Sequence, residues 1–187
     1  MSKSPINAIA VFNEKKIKGT VRFIEDLTKD QVIIDIDLVG LKKNTKQGFH
    51  VHKCGDMSEH CESMCAHFNP FNTDHGDKDA KKRHVGDLGN LQTDANGCAK
   101  YKMHDHMIKL RGTKCNIIGR GLIIHEDEDD CGVTDHPLSK TTGNSGKRIA
   151  CAVIGYAEGF EKPTGGSKPR SSLDNPRRGL SADDNRG

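Results

Sequence analysis

The stretch Gly48-Phe49-His50-Val51-His52 carries two imidazoles two residues apart in a short run of strand-forming residues. Side chains alternate between the faces of a β-strand, so His50 and His52 point one way while Phe49 and Val51 point into the opposite layer. Two imidazoles held side by side on a stiff strand are half of a metal site; read alone, the spacing suits an exposed pair of strand histidines equally well. Downstream, His67, His75, His84 with Asp87, and His125 follow in a context punctuated by Gly and Pro that is able to fold back onto this strand. Imidazole suits copper and zinc. A histidine-only set beside a histidine-plus-carboxylate set is what two such neighbouring ions would require.

The elements that must hold these side chains read as strands. With 33% hydrophobic residues, 4% aromatics and no Trp, the core has to be built from Ile, Val and Leu, a composition that favours sheets. Residues 6–12 form an apolar run; Ile17, Gly19, Val21 and Phe23 alternate with Lys18, Thr20, Arg22 and Ile24; Val32, Ile34, Ile36 and Leu38 alternate with Ile33, Asp35, Asp37 and Val39. Runs about ten residues apart with polar breaks predict an all-β sandwich or barrel. The fourth run places His50 and His52 on a rigid element. Periodicity then stops over residues 53–83, a loop of about thirty residues, and loops that long are usually functional. It holds His60, His67, His75 and three cysteines, so metal and a disulfide would order it in place of a core. Order returns with a strand over 85–91, a turn at Asp94-Ala95-Asn96-Gly97 and a partner over 98–103. His104-Asp105-His106 reads as an exposed polar turn beyond that partner. Residues 117–125 and 148–156 supply the last two of eight strands, with a second long loop, 127–147, between them.

A chain of 187 residues fits one domain, placed at residues 1–160, followed by a different material: residues 161–187 hold three of the six prolines, six basic and four acidic residues and no apolar periodicity, and are expected to be disordered. A formal net charge of +3 with both signs interspersed argues against a nucleic-acid partner. No run is long enough to cross a membrane and residues 1–15 lack the charged-then-apolar pattern of a signal peptide, so a soluble cytoplasmic or otherwise intracellular protein is expected. Seven cysteines sit awkwardly with that compartment, the odd count leaves at least one unpaired, and cysteine arithmetic by itself does not choose the pair.

The segments Gly48-Phe49-His50-Val51-His52, Ala66-His67-Phe68-Asn69-Pro70, Arg83-His84-Val85-Gly86-Asp87-Leu88-Gly89-Asn90, Ile117-Ile118-Gly119-Arg120, His125-Glu126-Asp127-Glu128-Asp129-Asp130 and Thr142-Gly143-Asn144-Ser145-Gly146-Lys147-Arg148-Ile149-Ala150-Cys151 resemble, in order, the motif series of the Cu/Zn superoxide dismutase family. The resemblance runs from about Ala8 to about Ala157. It implies an eight-stranded Greek-key β-sandwich or flattened barrel with two long functional loops. It also implies one copper, bound by His50, His52, His67 and His125, and one zinc, bound by His67, His75, His84 and Asp87, with His67 bridging the two. Asp129 would hydrogen-bond His50 and His75, so that replacing it loosens zinc before copper. Arg148 would hold and guide the anion as a planar permanent cation, and Thr142 would narrow the channel opposite it. Cys61 and Cys151 match the intrasubunit disulfide of the family, which leaves Cys54, Cys65, Cys98, Cys115 and Cys131 without a family role.

The reaction implied is disproportionation of superoxide to dioxygen and hydrogen peroxide, with a homodimer as the assembly and a copper chaperone as a further candidate partner. The chain departs from the family pattern at Asp127, where many members carry a lysine, at Pro137, where acidic residues often stand, at Cys65-Ala66 in place of Gly-Pro, and at Cys54, a commonly apolar position at the dimer contact; Lys140 is a candidate to compensate for the lost charge. The rival reading is a metal-buffering or copper-handling protein on the same scaffold with little turnover. Such a buffer would have no need of Arg148, and no Cys-x-x-Cys delivery motif is present.

Overall fold

The computed structural model describes residues 4–158, and its strands follow the alternation of the sequence. They are β1 (Asn7–Asn13), β2 (Lys18–Asp26), β3 (Gln31–Val39), β4 (Lys46–His52), β5 (Asp87–Gln92), β6 (Ala99–Asp105), β7 (Gly121–His125), β8 (Arg148–Val153) and β9 (Gly155–Ala157). A five-stranded sheet in the order β6-β3-β2-β1-β9 faces a four-stranded sheet in the order β5-β4-β7-β8. Every strand pairing is antiparallel. Register aligns the apolar faces: Val21 lies opposite Ile36 and Phe23 opposite Ile34. These side chains meet Phe49, Val51, Leu122 and Ile124 of the second sheet in one buried core. Each such side chain contributes about 1.5–3 kcal/mol on burial.

The all-β sandwich expected from the sequence is present, with two differences. The sheets do not close into a barrel, and nine strands, not eight, occur among the described residues. The run 148–156 breaks at Ile154, whose N–H donates to Arg120 O at 2.9 Å and whose carbonyl accepts from Gly119 N at 2.7 Å. The chain crosses there from one sheet to the other, so β9 pairs with β1 instead of prolonging β8. The strand expected over 117–125 starts only at Gly121. β6 runs through Asp105, so His104 and Asp105 are strand residues and not part of a polar turn. The first long loop contains one turn of 3-10 helix, Glu62–Met64, and the second a short helix α1 (Ser139–Thr142). The expectation for residues 161–187 lies outside the described residues.

β4 sits between β5 and β7 with both faces covered. Phe49 and Val51 enter the core, and the outer face that carries His50 and His52 lies under the two loops. A three-way backbone tie fastens the first loop there. Val51 N donates to Gly86 O at 2.9 Å, Phe68 N to Val51 O at 2.8 Å and Gly86 N to Phe68 O at 2.9 Å. A Cβ at Gly86 would lie 2.1 Å from Val51 O, so only glycine permits the approach that brings His67 and His84 beside β4. The register also slips between Gly48 and His50 against β5, and between Ile124 and His125 against β8. Irregularities of this kind re-aim side chains, here at two of the histidines.

Candidate metal centre

His50 and His52 from β4, His125 from the end of β7 and His67 from the first loop each offer a ring nitrogen, and these atoms lie within 4.8 Å of one another. His50 Nδ1, His52 Nε2, His67 Nε2 and His125 Nε2 are all buried without a hydrogen-bond partner. Their opposite nitrogens are engaged. His50 Nε2 meets Asp129 Oδ2 at 2.8 Å, His52 Nδ1 donates to Cys65 O at 2.8 Å, His125 Nδ1 donates to Gly146 O at 3.3 Å, and His67 Nδ1 faces Asp87 Oδ1 at 2.9 Å. A ring whose outer nitrogen donates to an oxygen keeps its lone pair on the inner one. Burial keeps three of the rings neutral as well: with the neighbouring His50, it lowers His67 to about 3 and His125 to about 2, and with the neighbouring His67 it takes His52 well below its usual value. An orphaned buried polar atom costs about 1–3 kcal/mol. Four converging lone pairs with no proton donor are the donor set of an imidazole-bound metal such as copper.

The second set surrounds Asp87. Its Oδ1 lies 2.9 Å from His67 Nδ1, 3.0 Å from His75 Nδ1 and 3.0 Å from His84 Nδ1. Its Oδ2 accepts the backbone N–H of His84 at 2.8 Å and of Gly76 at 3.2 Å. A carboxylate oxygen has two lone pairs, so Oδ1 has no capacity for three N–H donors. Tetrahedral zinc with bonds of about 2.0 Å to its ligands has ligand–ligand edges of about 3.3 Å, close to these separations. Burial opposes charge on Asp87, but the surrounding imidazoles of His67, His75 and His84 outweigh it and hold the carboxyl well below the usual range. Burial likewise pulls His75 down, while its bond to Asp129 and the nearby Asp87 carboxylate raise it to about 9. A zinc ion held here would take the place of the proton that His75 carries between the two carboxylates.

Asp129 links the two sets. Oδ2 meets His50 Nε2 and Oδ1 meets His75 Nε2, each at 2.8 Å, with the residue only 1% exposed. Against burial, these two bonds hold its carboxyl well below the usual range. The second loop closes over it at Gly143, the left-handed C-cap of α1 (φ 64°), where a Cβ would stand 1.8 Å from Asp129 Oδ1.

Arg148, at the start of β8, lies opposite His125. Its Nη1 donates to Cys61 O at 2.7 Å and Glu62 O at 3.2 Å, and its Nη2 to Cys65 O at 2.6 Å. The Cys65 carbonyl therefore orients both Arg148 and His52. Cys65 itself holds φ 64° and ψ −153°, a region that costs a non-glycine residue about 1–3 kcal/mol. Cys61 and Cys151 are joined, with Cα atoms 5.6 Å apart across a sequence separation of 90. The disulfide anchors the 3-10 turn whose carbonyls receive Arg148. Thr142 is half-buried on α1, its hydroxyl donating to Leu138 O at 3.3 Å.

The family model for copper/zinc superoxide dismutase (SODC) matches residues 17–154. This chain belongs to the copper/zinc superoxide dismutase family. The Cu-Zn superoxide dismutase of Paramecium bursaria Chlorella virus 1 is 59% identical over 154 residues, covering 82% of this chain and 80% of the relative. The extracellular Cu-Zn superoxide dismutase of Drosophila melanogaster is 46% identical over 157 residues, covering 81% and 86%. Among solved structures, the crystal structure of the clock protein EA4 matches with a TM-score of 0.79 and 41% identity, covering 84% of this chain and 98% of that one.

Within the superoxide dismutase fold, two residues of this site escaped the sequence reading. Arg83 is fully buried and ion-paired to Asp105 of β6; its Nη1 also donates to the carbonyls of His84 at 3.0 Å, Val85 at 3.3 Å and Asp87 at 2.9 Å. It braces the turn that presents two of the histidine–carboxylate set. The signal was a basic residue directly before the ligand candidate His84, at the end of the run Lys81-Lys82-Arg83. Four histidines lie outside both sets: His60 is exposed and bonded to Glu14 Oε1 at 2.9 Å, His104 and His106 stay at β6 and its end, and His136 lies in the second loop, its Nδ1 accepting from Leu138 N at 3.2 Å. At the rim, Asp127 pairs with Lys42 at 3.3 Å and Glu128 with Lys46 at 2.9 Å, while the Lys140 ammonium is held at the Gly132 carbonyl.

Proposed function

We propose that this chain disproportionates superoxide to dioxygen and hydrogen peroxide, with His50, His52, His67 and His125 holding copper and His67, His75, His84 and Asp87 holding zinc. One observation carries the reading: His67 belongs to both sets, its Nδ1 against Asp87 Oδ1 and its Nε2 buried, unpartnered, among the other three copper-set nitrogens. Bound copper supplies one-electron redox chemistry, and bound zinc supplies a fixed charge that takes no part in electron transfer. Asp129 fixes the ring planes of His50 and His75. His67 holds or releases a proton at Nε2 without moving its backbone, which is tied through Phe68 to β4. Arg148, anchored by three carbonyls beside His125, attracts and orients the anion with a planar permanent charge. Thr142 narrows the approach from the second loop. Because Asp127 and Glu128 are paired with lysines, electrostatic guidance rests mainly on Arg148.

The deciding experiment follows superoxide decay catalysed by the full chain loaded with one copper and one zinc, at several salt concentrations. Fast decay that is abolished in His125→Ala, and lowered about ten-fold or more with loss of salt dependence in Arg148→Ala, is expected. Tight metal binding with decay no faster than the copper-free protein would return the metal-buffer reading.

The assembly proposed is a homodimer. β8 and β9 are outer strands of the two sheets, and they expose Val153 and Tyr156. Sedimentation equilibrium reads this directly, and a monomer at micromolar concentration removes it. An intracellular location is supported by five described cysteines outside any disulfide; recovery from the medium and not from lysate would exclude it. No described helix is long and apolar enough to cross a membrane. The copper-set imidazoles are no more than 5% exposed, which gives a copper chaperone a role in opening the site. Equal loading from copper salt alone would remove that partner.

A further inference from the structure

One pair of side chains beside the metal centre takes no part in the chemistry above. The antiparallel bridge between His52 and His67 continues through Lys53 N to Ala66 O at 2.9 Å and then slips, with Cys54 N reaching Met64 O at 3.2 Å. The slip leaves Cys65 as an extra residue opposite Cys54, in the manner of a bulge. This pairing sets the two side chains next to each other, and the thiols interact across it. Cys65 is exposed, Cys54 is half-buried, and neither belongs to a disulfide. The Cys65 carbonyl receives His52 Nδ1 at 2.8 Å and Arg148 Nη2 at 2.6 Å. A pair of neighbouring thiols thus stands at the residue whose backbone orients two members of the site.

We propose that Cys54 and Cys65 form a second, reversible disulfide, with hydrogen peroxide as the oxidant. Peroxide reaches the exposed Cys65 thiol first. The O–O bond breaks, one oxygen stays on sulfur as a sulfenic acid and the other leaves as water. The Cys54 sulfur then attacks the Cys65 sulfur, the S–O bond breaks, and a second water departs with the remaining thiol proton. In sum, two thiols lose two electrons and two protons while one peroxide becomes two waters. The link joins the end of β4 to the residue that holds His52 and Arg148, and so braces that wall of the metal centre. Only the source of the peroxide rests on the dismutase reading; the pair itself does not.

The test uses the full chain, metal-loaded and metal-free, with Cys61–Cys151 intact. Each form is treated with a few equivalents of hydrogen peroxide, alkylated, and mapped by peptide mass without reduction. The expected product in both forms is a peptide pair linked through Cys54 and Cys65, reversed by dithiothreitol, with Cys98, Cys115 and Cys131 still alkylated. Cys54→Ser should give no intrachain link and carry Cys65 on to sulfinate. Cys65→Gly, a residue suited to the φ of 64° found there, should abolish the link with an unchanged circular dichroism spectrum. Thiols that both stay alkylatable, oxidation of Cys65 without engagement of Cys54, a link between two chains, or a link that forms only with copper present would each overturn the proposal. The metal-free arm does not depend on superoxide chemistry, so a link that forms there, beside metal-loaded protein that does not consume superoxide, removes the dismutase and leaves the pair.

Discussion

Asp129→Ala should separate the two metals, because the carboxylate supports rings with unequal independent support. His50 lies on β4, paired on both sides, against Ile123 and Asp87. His75 lies in the first loop, where apart from Asp87 and Asp129 it is fixed by its N–H to Lys140 O at 2.8 Å. Removing the carboxylate takes one bond of 2.8 Å from each ring. Hydrogen bonds to a charged group are worth about 1.5–3 kcal/mol, and loss of such an outer partner costs about 10–100-fold in metal affinity. The loss should fall mainly on zinc, since the His75 ring is left free to turn while the strand still presents His50. Asp129→Asn should reverse the order. Oδ1 accepts both His75 Nε2 and Cys131 N, the latter at 2.7 Å, so the amide oxygen takes that position and the NH2 group opposes the N–H of His50. Zinc affinity then recovers most of its loss and copper weakens. Competition with chelators of graded affinity, read separately for the two metals, measures both constants. Equal losses in Asp129→Ala, or no recovery of zinc in Asp129→Asn, would refute the reasoning.

Arg83→Met leaves the buried Asp105 carboxylate without its cation and should cost about 3–5 kcal/mol of stability by denaturant titration. Arg83→Met with Asp105→Leu should regain most of that stability but not zinc retention, because the carbonyls of His84, Val85 and Asp87 stay unbraced; full recovery of both would show that the arginine serves only the ion pair. Metal-free stability should peak near pH 6.5. Below that value the unfolded chain binds protons that buried His52, His67 and His125 refuse, so stability falls on acidification by about 1.4 kcal/mol per pH unit for each, until the folded values are reached, about 3 for His67 and about 2 for His125. His75 has the opposite sign: raised to about 9, it contributes stability that is full below 6.5 and is lost as pH rises through 9. Urea unfolding of the metal-free chain from pH 5 to 9 checks both limbs, and a flat profile would contradict them.

Most of the scaffold and the donor types are legible in the chain itself. The alternation in 17–24 and 32–39 predicts β2 and β3 because a half-buried strand must sort its side chains by period two, and the same rule puts His50 and His52 on one face. The ligand sets and the Cys61–Cys151 pairing come from ordered motifs matched to a family, not from spacing, since seven cysteines and ten histidines permit many groupings. Strand ends were less legible. The crossing at Ile154 depends on partners, Gly119 and Arg120, that are remote in sequence, and β9 has only three residues to announce itself.

By itself, the sequence determined which chemistry is available: imidazoles and carboxylates at strand and loop positions, a permanent cation at 148, and an apolar period able to build two sheets. Tertiary structure decided which nitrogen of each ring faces inward, because that depends on what occupies the other one: Asp129 for His50, the Cys65 carbonyl for His52 and Gly146 for His125. It also decided that Arg83 reaches Asp105 across 22 residues, and that Cys54 lies against Cys65 through a slip in backbone pairing. Periodicity reports the solvent and core sides of one element. Hydrogen bonds, buried charges and thiol contacts are set between elements, where only the folded chain brings the partners within reach.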